Sequence, residues 1–156
     1  MSEIETIESL IVAKLQTISY FSPDAGGTVR GVSDIKTFLD LSTIASPSAI
    51  VVFDGEKAKK DETIGRVTQE TEFFWSIYLG AASFGSHSEG RLDATGSYQQ
   101  ISDVVTALEG FALDLKPVTT TKLIYLGAAR YQVSDTVVIY EARFRHQFLR
   151  QGPVGN

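Results

Sequence analysis

Hydrophobic residues near the start of the chain recur at three- and four-residue steps, the spacing of one face of an α-helix. This stripe consists of Ile4, Ile7, Ile11, Leu15 and Ile18. It predicts a first helix over residues 3–18. A second stripe consists of Ile101, Val104, Val105, Leu108 and Ala112. It predicts a second helix over residues 97–112. Each helix begins with capping-box spacing, Ser2 to Glu5 in the first and Ser97 to Gln100 in the second.

Short apolar runs and alternating apolar and polar residues predict strands in the rest of the chain. These strands are expected at Ala49–Phe53, through Gln69–Ala82, and at Lys122–Gln132 and Thr136–Phe148. In the long central strand, one face is predicted to carry Phe73, Trp75, Ile77 and Leu79, and the other Glu72, Phe74, Ser76 and Tyr78. Because half of the second set is aromatic, both faces are expected to be covered, and a neighbouring subunit is one candidate for the second cover.

The order of these elements predicts an α+β fold. We expect a mixed or antiparallel sheet of four to five strands with two main helices packed on one face. Val32–Leu41 favours a short additional helix, and Glu56–Glu62 is expected to be a charged, solvated connector. Residues 1–150 are predicted to form a single domain, followed by a flexible tail over residues 151–156.

Composition excludes several classes of protein. The chain has 156 residues, a formal net charge of −5 and no cysteine. An acidic chain argues against a nucleic-acid binder that acts through whole-surface charge, and the lack of cysteine excludes a disulfide scaffold and Cys-based zinc sites. Glutamates occupy the start, where a signal peptide needs positive charge, and no apolar run has the length of a membrane span. We therefore expect no secretion signal and no membrane partner.

Catalytic signatures are missing from the pattern. His87 and His146 are the only histidines, and neither has a metal-binding neighbour at helical spacing. Gly85-Ser86-His87-Ser88 places a serine beside a histidine, but adjacent side chains in an extended loop point apart. We therefore predict that the protein is not an enzyme and holds no cofactor. A small-molecule-binding or hydrolytic domain that uses the loop Gly85–Gly96 remains an alternative, and it would require turnover that is lost in Ser86→Ala.

Charged residues provide the candidate assembly sites. Arg143 and Arg145 share one face of the last predicted strand. One explanation is an edge strand that charge protects from aggregation. The other is a subunit contact with the acidic first helix of a neighbour, through Glu3, Glu5 and Glu8, and both explanations stay open. Exposed assembly-loop candidates are Lys57, Lys59, Lys60, His87, Glu89 and Arg91. The loop Gly85–Gly96 is expected to be mobile in the free subunit and ordered on assembly.

Several segments together resemble the tail terminator proteins of long-tailed phages, and among them the Mu-like Gp37 family of transposable phages and prophages. The segments are the helix Ile4–Leu15 (IETIESLIVAKL), the strand Pro47–Val52 (PSAIVV), the aromatic strand Phe73–Leu79, the helix end Ala107–Phe111 (ALEGF) and the final Arg143–Arg145 (RFR). They span nearly the whole chain, and none is a catalytic signature.

The resemblance implies a structural subunit that closes into a hexameric ring, caps the tail tube, stops its polymerisation and offers a surface to the head. Its implied partners are further copies of itself, the tail tube protein and the head–tail connector or neck proteins. DNA would only pass through the channel, without specific binding, and an acidic subunit suits such a passage. The implied location is the virion, after synthesis in the host cytoplasm. A head-completion or neck connector subunit is the alternative within the same setting.

Overall fold

A computed structural model describes residues 3–22, 28–31, 47–58, 68–82, 96–113, 119–120, 122–133 and 137–151. In chain order the elements are α1 (Glu3–Leu15), a 3-10 helix (Ser19–Phe21), β1 (Thr28–Gly31), β2 (Ser48–Ala58), β3 (Thr68–Ala82), α2 (Ser97–Leu108), β4 (Thr119–Thr120), β5 (Ile124–Val133) and β6 (Val137–Gln151). The short helix predicted at residues 32–41 lies outside the described residues. So do residues 85–95 of the predicted loop and residues 152–156 of the predicted tail, whereas its first residue, Gln151, belongs to β6.

One mixed sheet contains all six described strands, in the order β1-β2-β3-β6-β4, and β5 also pairs with β6. All pairs are antiparallel except β1 with β2, which is parallel. The predicted α+β class is therefore confirmed, and the four predicted strands are the four long ones. β1 and β4 were missed because strands of four and two residues are too short to show a period of two.

The helices cover one side of the sheet, called here the helix face. The residues of β3 predicted to share a face, Phe73, Trp75, Ile77 and Leu79, all lie in the buried core on this side. The same core contains Ile7, Ile11 and Leu15 of α1 and Val104 and Leu108 of α2. Burial of these apolar side chains between helix and sheet is the main stabilising contribution to the fold.

The opposite side of the sheet, the far face, is also buried at its centre. Ile50 lies opposite Tyr78 and Val52 opposite Ser76, and all four are buried in the single chain. Both faces of β3 are therefore covered, as expected. A neighbouring subunit is not needed to cover Ser76 and Tyr78.

Both helices end earlier than their apolar stripes predicted. After Leu15 the backbone N–H groups of Thr17 and Ile18 donate to carbonyls three residues back, so the α-helix tightens into 3-10 turns. α2 ends at Leu108, and Gly110 follows with a φ of 77°, a conformation that glycine adopts readily. Ile18 and Ala112 therefore lie beyond the helices.

The capping box predicted at the start of α2 does not form. Gly96 is the N-cap residue, and Ser97 and Gln100 are both buried in the first turn. The Gln100 side-chain amide donates to the carbonyl oxygen of Gly80 in β3 across 3.2 Å. The Gln100 side chain therefore bonds to β3 and does not cap the start of its own helix, since a buried amide requires a hydrogen-bond partner.

Candidate assembly surface

Arg143 and Arg145 lie on the far face of β6, as their spacing predicted. Arg143 is opposite Ser76 and its side chain is 57% exposed, with Nε 3.7 Å from the Glu141 carboxylate. Arg145 is more enclosed, and its Nη1 lies 3.4 Å from Oε1 of Glu72 in β3. Arg143 is therefore the more available of the two cations for a partner.

β6 is not an edge strand, so the explanation of these arginines as protection of an edge is wrong. β3 pairs with β6 along its whole length, and β5 folds back to pair with its other side from Val138 to Arg145. β4 pairs with Leu149 and Phe148 beyond β5. The sequence could not show this, because the alternation of a strand does not depend on how many neighbours it has.

The acidic residues of α1 lie beside β1, at the opposite end of the strand order. Glu3 and Glu5 are exposed, and Glu8 is partly buried. The Glu8 carboxyl group packs so closely over Gly31 of β1 that a β-carbon there would collide with it. Burial, and then the nearby charge of Glu5, raise the pKa of Glu8. Three glutamates are thus concentrated in the first two turns of α1.

The two predicted interface groups do not meet within one chain. Glu8 of α1 lies over Gly31 of β1, whereas Arg143 and Arg145 lie on the far face of β6, with β2 and β3 between. Any contact between them therefore requires two copies of the chain. That geometry is typical of a head-to-tail interface, in which two different patches of one subunit meet.

The exposed-loop candidates lie largely outside the described residues. Lys59, Lys60, His87, Glu89 and Arg91 are among the residues that are not described. Lys57 is described and exposed, but it belongs to β2, where it pairs with Glu72, and not to a connector. β2 is thus longer than its apolar run, because strand pairing continues past Phe53 into polar residues.

Exposed apolar residues on β5 form a surface that the sequence analysis missed. Ile124, Leu126 and Tyr131 are 40%, 46% and 43% exposed. A sequence signal existed, since β5 reads IYLGAARYQV and contains Arg130 as its single charged residue. Its apolar residues fall on both faces of the strand, a pattern that strands buried on both sides also show.

Two bulges interrupt the pairing of β5 with β6. The register shifts between Tyr125 and Gly127 and again between Arg130 and Gln132, so Leu126 and Tyr131 are the extra residues. Gly127 has a φ of 128°, which side-chain-bearing residues rarely adopt. Bulges of this kind re-aim side chains and twist a strand, and here both extra residues are large and exposed.

Two polar contacts join neighbouring strands of the sheet, one on each face. On the helix face, Trp75 Nε1–H donates to Nε2 of His146, which is completely buried. On the far face, the hydroxyl group of Ser76 donates to Asp54, the extra residue of a bulge in β2. Burial, together with a hydrogen bond to Glu141, raises the pKa of Tyr78. Nε2 of His146 and the Ser76 hydroxyl group are satisfied by these contacts, whereas Nδ1 of His146 is buried with no hydrogen-bond partner among the described residues.

The residues that the structure describes form neither a metal site nor a membrane-spanning helix. They contain no group of three or more His, Asp or Glu side chains able to hold a metal ion. No helix among them has the length and apolar character required to cross a membrane.

Comparison with known proteins agrees with this picture of an assembly subunit. The family model described as "Phage tail terminator protein" matches residues 10–153. Among solved structures, a chain of the "Virion of native gene transfer agent (GTA) particle" has a TM-score of 0.56 at 14% sequence identity. The match covers 94% of this chain and 97% of that one, so the two share a fold over nearly their whole length. No curated protein matches the sequence.

Proposed function

Because the chain belongs to the phage tail terminator family, we propose that it caps the tail tube as a hexameric ring, stops polymerisation of the tube and provides the surface that joins the head. Family membership supports a structural role in the phage tail and a location in the virion. The number of subunits, the head-joining surface and the absence of catalysis are parts of the proposal that family membership does not supply. So is its placement among the Mu-like Gp37 proteins, which rests on the sequence segments quoted above.

The observation that carries the ring is the separation of charge across the sheet. Glutamates of α1 lie beside β1, and Arg143 and Arg145 lie on β6, with two long strands between. A subunit with two different complementary patches can join the next subunit head to tail, and such contacts close into a ring when the rotation permits. Neither patch needs a cofactor or a catalytic group.

The proposed partners follow from this role. Besides further copies of itself, the ring would bind the tail tube protein on one side and head–tail connector or neck proteins on the other. DNA would pass through the channel without specific binding, which an acidic chain favours because a positive lining would retain phosphates. No membrane partner is proposed. Synthesis would take place in the cytoplasm of the host.

A tube-capping assay tests the proposal. Purified tail tube protein is polymerised with and without this chain, and tube length and tube ends are measured by negative-stain electron microscopy. We expect shorter tubes with a ring-shaped density at one end, and light scattering should give the mass of that ring. Binding of the chain to purified heads that lack tails is measured in parallel, as the test of the neck connector alternative.

Two outcomes would overturn the proposal. Binding to heads with no effect on tubes would favour the neck connector alternative. Tubes of unchanged length with no end density, at concentrations where the chain is folded, would remove the terminator role. A chain that is monomeric without tubes would not contradict the proposal, because assembly can require the tube. Tube length and density at the tube ends are therefore the deciding measurements.

A further inference from the structure

All large apolar side chains that are strongly exposed among the described residues lie on β5 or beside it. Ile124, Leu126 and Tyr131 belong to β5 itself. Tyr98 of α2, 47% exposed, has its ring 6.2 Å from that of Tyr140, which pairs with a β5 residue. Single exposed apolar residues are ordinary, but three along one strand with a fourth beside it are typical of an interaction site.

β5 is also an edge strand among the described elements. One side of β5 pairs with β6, and the other side pairs with no described strand from Ile124 to Val133. Just before it, Leu123 is fixed by backbone hydrogen bonds to Gly110 and Phe111. The bulges at Leu126 and Tyr131 disfavour addition of a regular strand, so the contact suited to this edge is packing of side chains.

Charge indicates what would cover this edge. Lys122 and Arg130 are exposed along it, and β5 contains no acidic residue. The start of α1 has the reverse charge, with Glu3 and Glu5 exposed. The exposed charges along β5 and those at the start of α1 thus differ in sign, which is the complementarity expected of a self-recognising head-to-tail contact.

We propose that the β5 edge of one subunit docks onto the α1/β1 side of a second copy of this chain, with Leu126 and Tyr131 as its apolar anchors. This inference rests on the proposed ring and names the surfaces that form it. Arg143 pairs in register with Gly127 of β5, so the earlier charge pairing with α1 belongs to the same contact. A symmetric contact of β5 with β5 is disfavoured, because both copies would present the same cationic edge, with Lys122 and Arg130 exposed and no acidic residue in β5.

Cross-linking tests this contact cleanly because the natural chain has no cysteine. Leu126→Cys and Glu5→Cys are made as separate proteins and as a double variant, and each is treated with a short bifunctional thiol reagent. Assembly takes place on tail tubes, so that a free monomer does not obscure the result. Ser102→Cys, at an exposed position of α2, is the matched control.

The expected products follow from the geometry of a head-to-tail ring. The double variant should give a ladder of species up to the closed ring, and a mixture of the two single variants should give dimers. Each single variant alone, and the Ser102→Cys control, should give monomers. Cross-linking of Leu126→Cys with itself would overturn the proposal in favour of a symmetric contact. A double variant that caps tubes but yields no ladder would also overturn it.

A second variant separates failure of this contact from failure of the proposed function. Leu126→Asp and Arg130→Glu should each raise the concentration needed for capping by about tenfold or more, with the fold unchanged by circular dichroism. Combining Arg130→Glu with Glu5→Lys should restore part of the loss. If these variants cap tubes as well as the natural chain, the contact is wrong while the terminator role stands. If the natural chain itself fails to cap, the role is wrong.

Discussion

Trp75 donates its indole N–H to Nε2 of His146 across 3.1 Å, between neighbouring strands in the core of the sheet. Because Nε2 accepts this bond, it cannot also carry a proton, and the neutral imidazole must hold its proton on Nδ1. His146 is completely buried, and its ring also meets the edge of Phe73. This hydrogen bond in the core of the sheet therefore requires His146 to be neutral.

The first prediction is that acid destabilises the fold through His146. Burial lowers the pKa of His146 to about 4, and a contact with the Gln147 backbone offsets only a part of that shift. The unfolded chain takes up a proton near the ordinary pKa of about 6.5. The stabilisation is therefore full above that value and is lost as the pH falls from about 6.5 towards 4, with about 2 kcal/mol lost between pH 7 and pH 5.

Urea unfolding at pH 7 and pH 5 measures this loss. The His146→Asn variant should be less stable than the natural chain at pH 7 but should lose much less stability on going to pH 5. Since His87 is the other histidine, His87→Asn is the matched control and should keep the full pH dependence. An equal loss in the natural chain and in His146→Asn would assign the effect to other groups.

The sequence predicted the long elements well because they bury one continuous face. The helix-face residues of β3 and the central residues of the α1 and α2 stripes, Ile7, Ile11, Leu15, Val104 and Leu108, are core residues in the structure. A residue that packs on one side of a regular element repeats with its period, and that period is visible in a single sequence.

The remaining features depend on which segments become neighbours, and no local pattern records this. The spacing of His146 showed only that it lacks a metal-binding neighbour, whereas its alignment with Phe73 places it in the core. The exposure of Leu126 depends on a bulge and on the lack of a described strand beyond β5. The sequence predicted that Arg143 and Arg145 share one face of their strand. It did not predict how far these arginines lie from the glutamates of α1.

A hydrogen bond between Tyr20 and Asp103 supports the second prediction. The Tyr20 hydroxyl group donates to the carboxylate across 2.6 Å, and it joins the 3-10 helix to α2. Tyr20→Phe removes this bond and should lower the free energy of unfolding by about 1–3 kcal/mol, since the acceptor is charged. Denaturant unfolding checks the value. Combination with Asp103→Asn should cost less than the sum of the two single changes, and full additivity would show that the contact contributes nothing.

The third prediction contrasts two glycines of the sheet. Gly127 has a φ of 128° with open space around it, so Gly127→Ala strains the backbone and should cost about 1–3 kcal/mol. At Gly31 the obstacle is the flexible side chain of Glu8. Gly31→Ala should therefore be milder, and its cost should shrink in combination with Glu8→Ala. Unfolding midpoints of Gly127→Ala, Gly31→Ala, Glu8→Ala and the Gly31→Ala/Glu8→Ala double variant test this. Equal costs for the two glycine changes would contradict the prediction.

The fourth prediction concerns the arginines of β6. Arg143→Glu should raise the concentration at which subunits half-assemble on tubes by about tenfold, because it places a negative charge against the acidic α1 of the neighbour. Glu3→Lys in the same chain should recover part of that loss. Arg145→Glu is a less specific change, since Arg145 lies beside Glu72 within its own chain and reversal creates repulsion there.

Urea unfolding, measured beside the half-assembly concentration, separates effects on folding from effects on assembly. Urea unfolding should give Arg143→Glu nearly the stability of the natural chain, because its side chain is largely exposed. Arg145→Glu should be less stable as well as poorer in assembly. Assembly that is unchanged in both variants would remove the charge contact between β6 and α1. It would leave the apolar β5 edge as the surface to be tested alone, through Leu126→Asp.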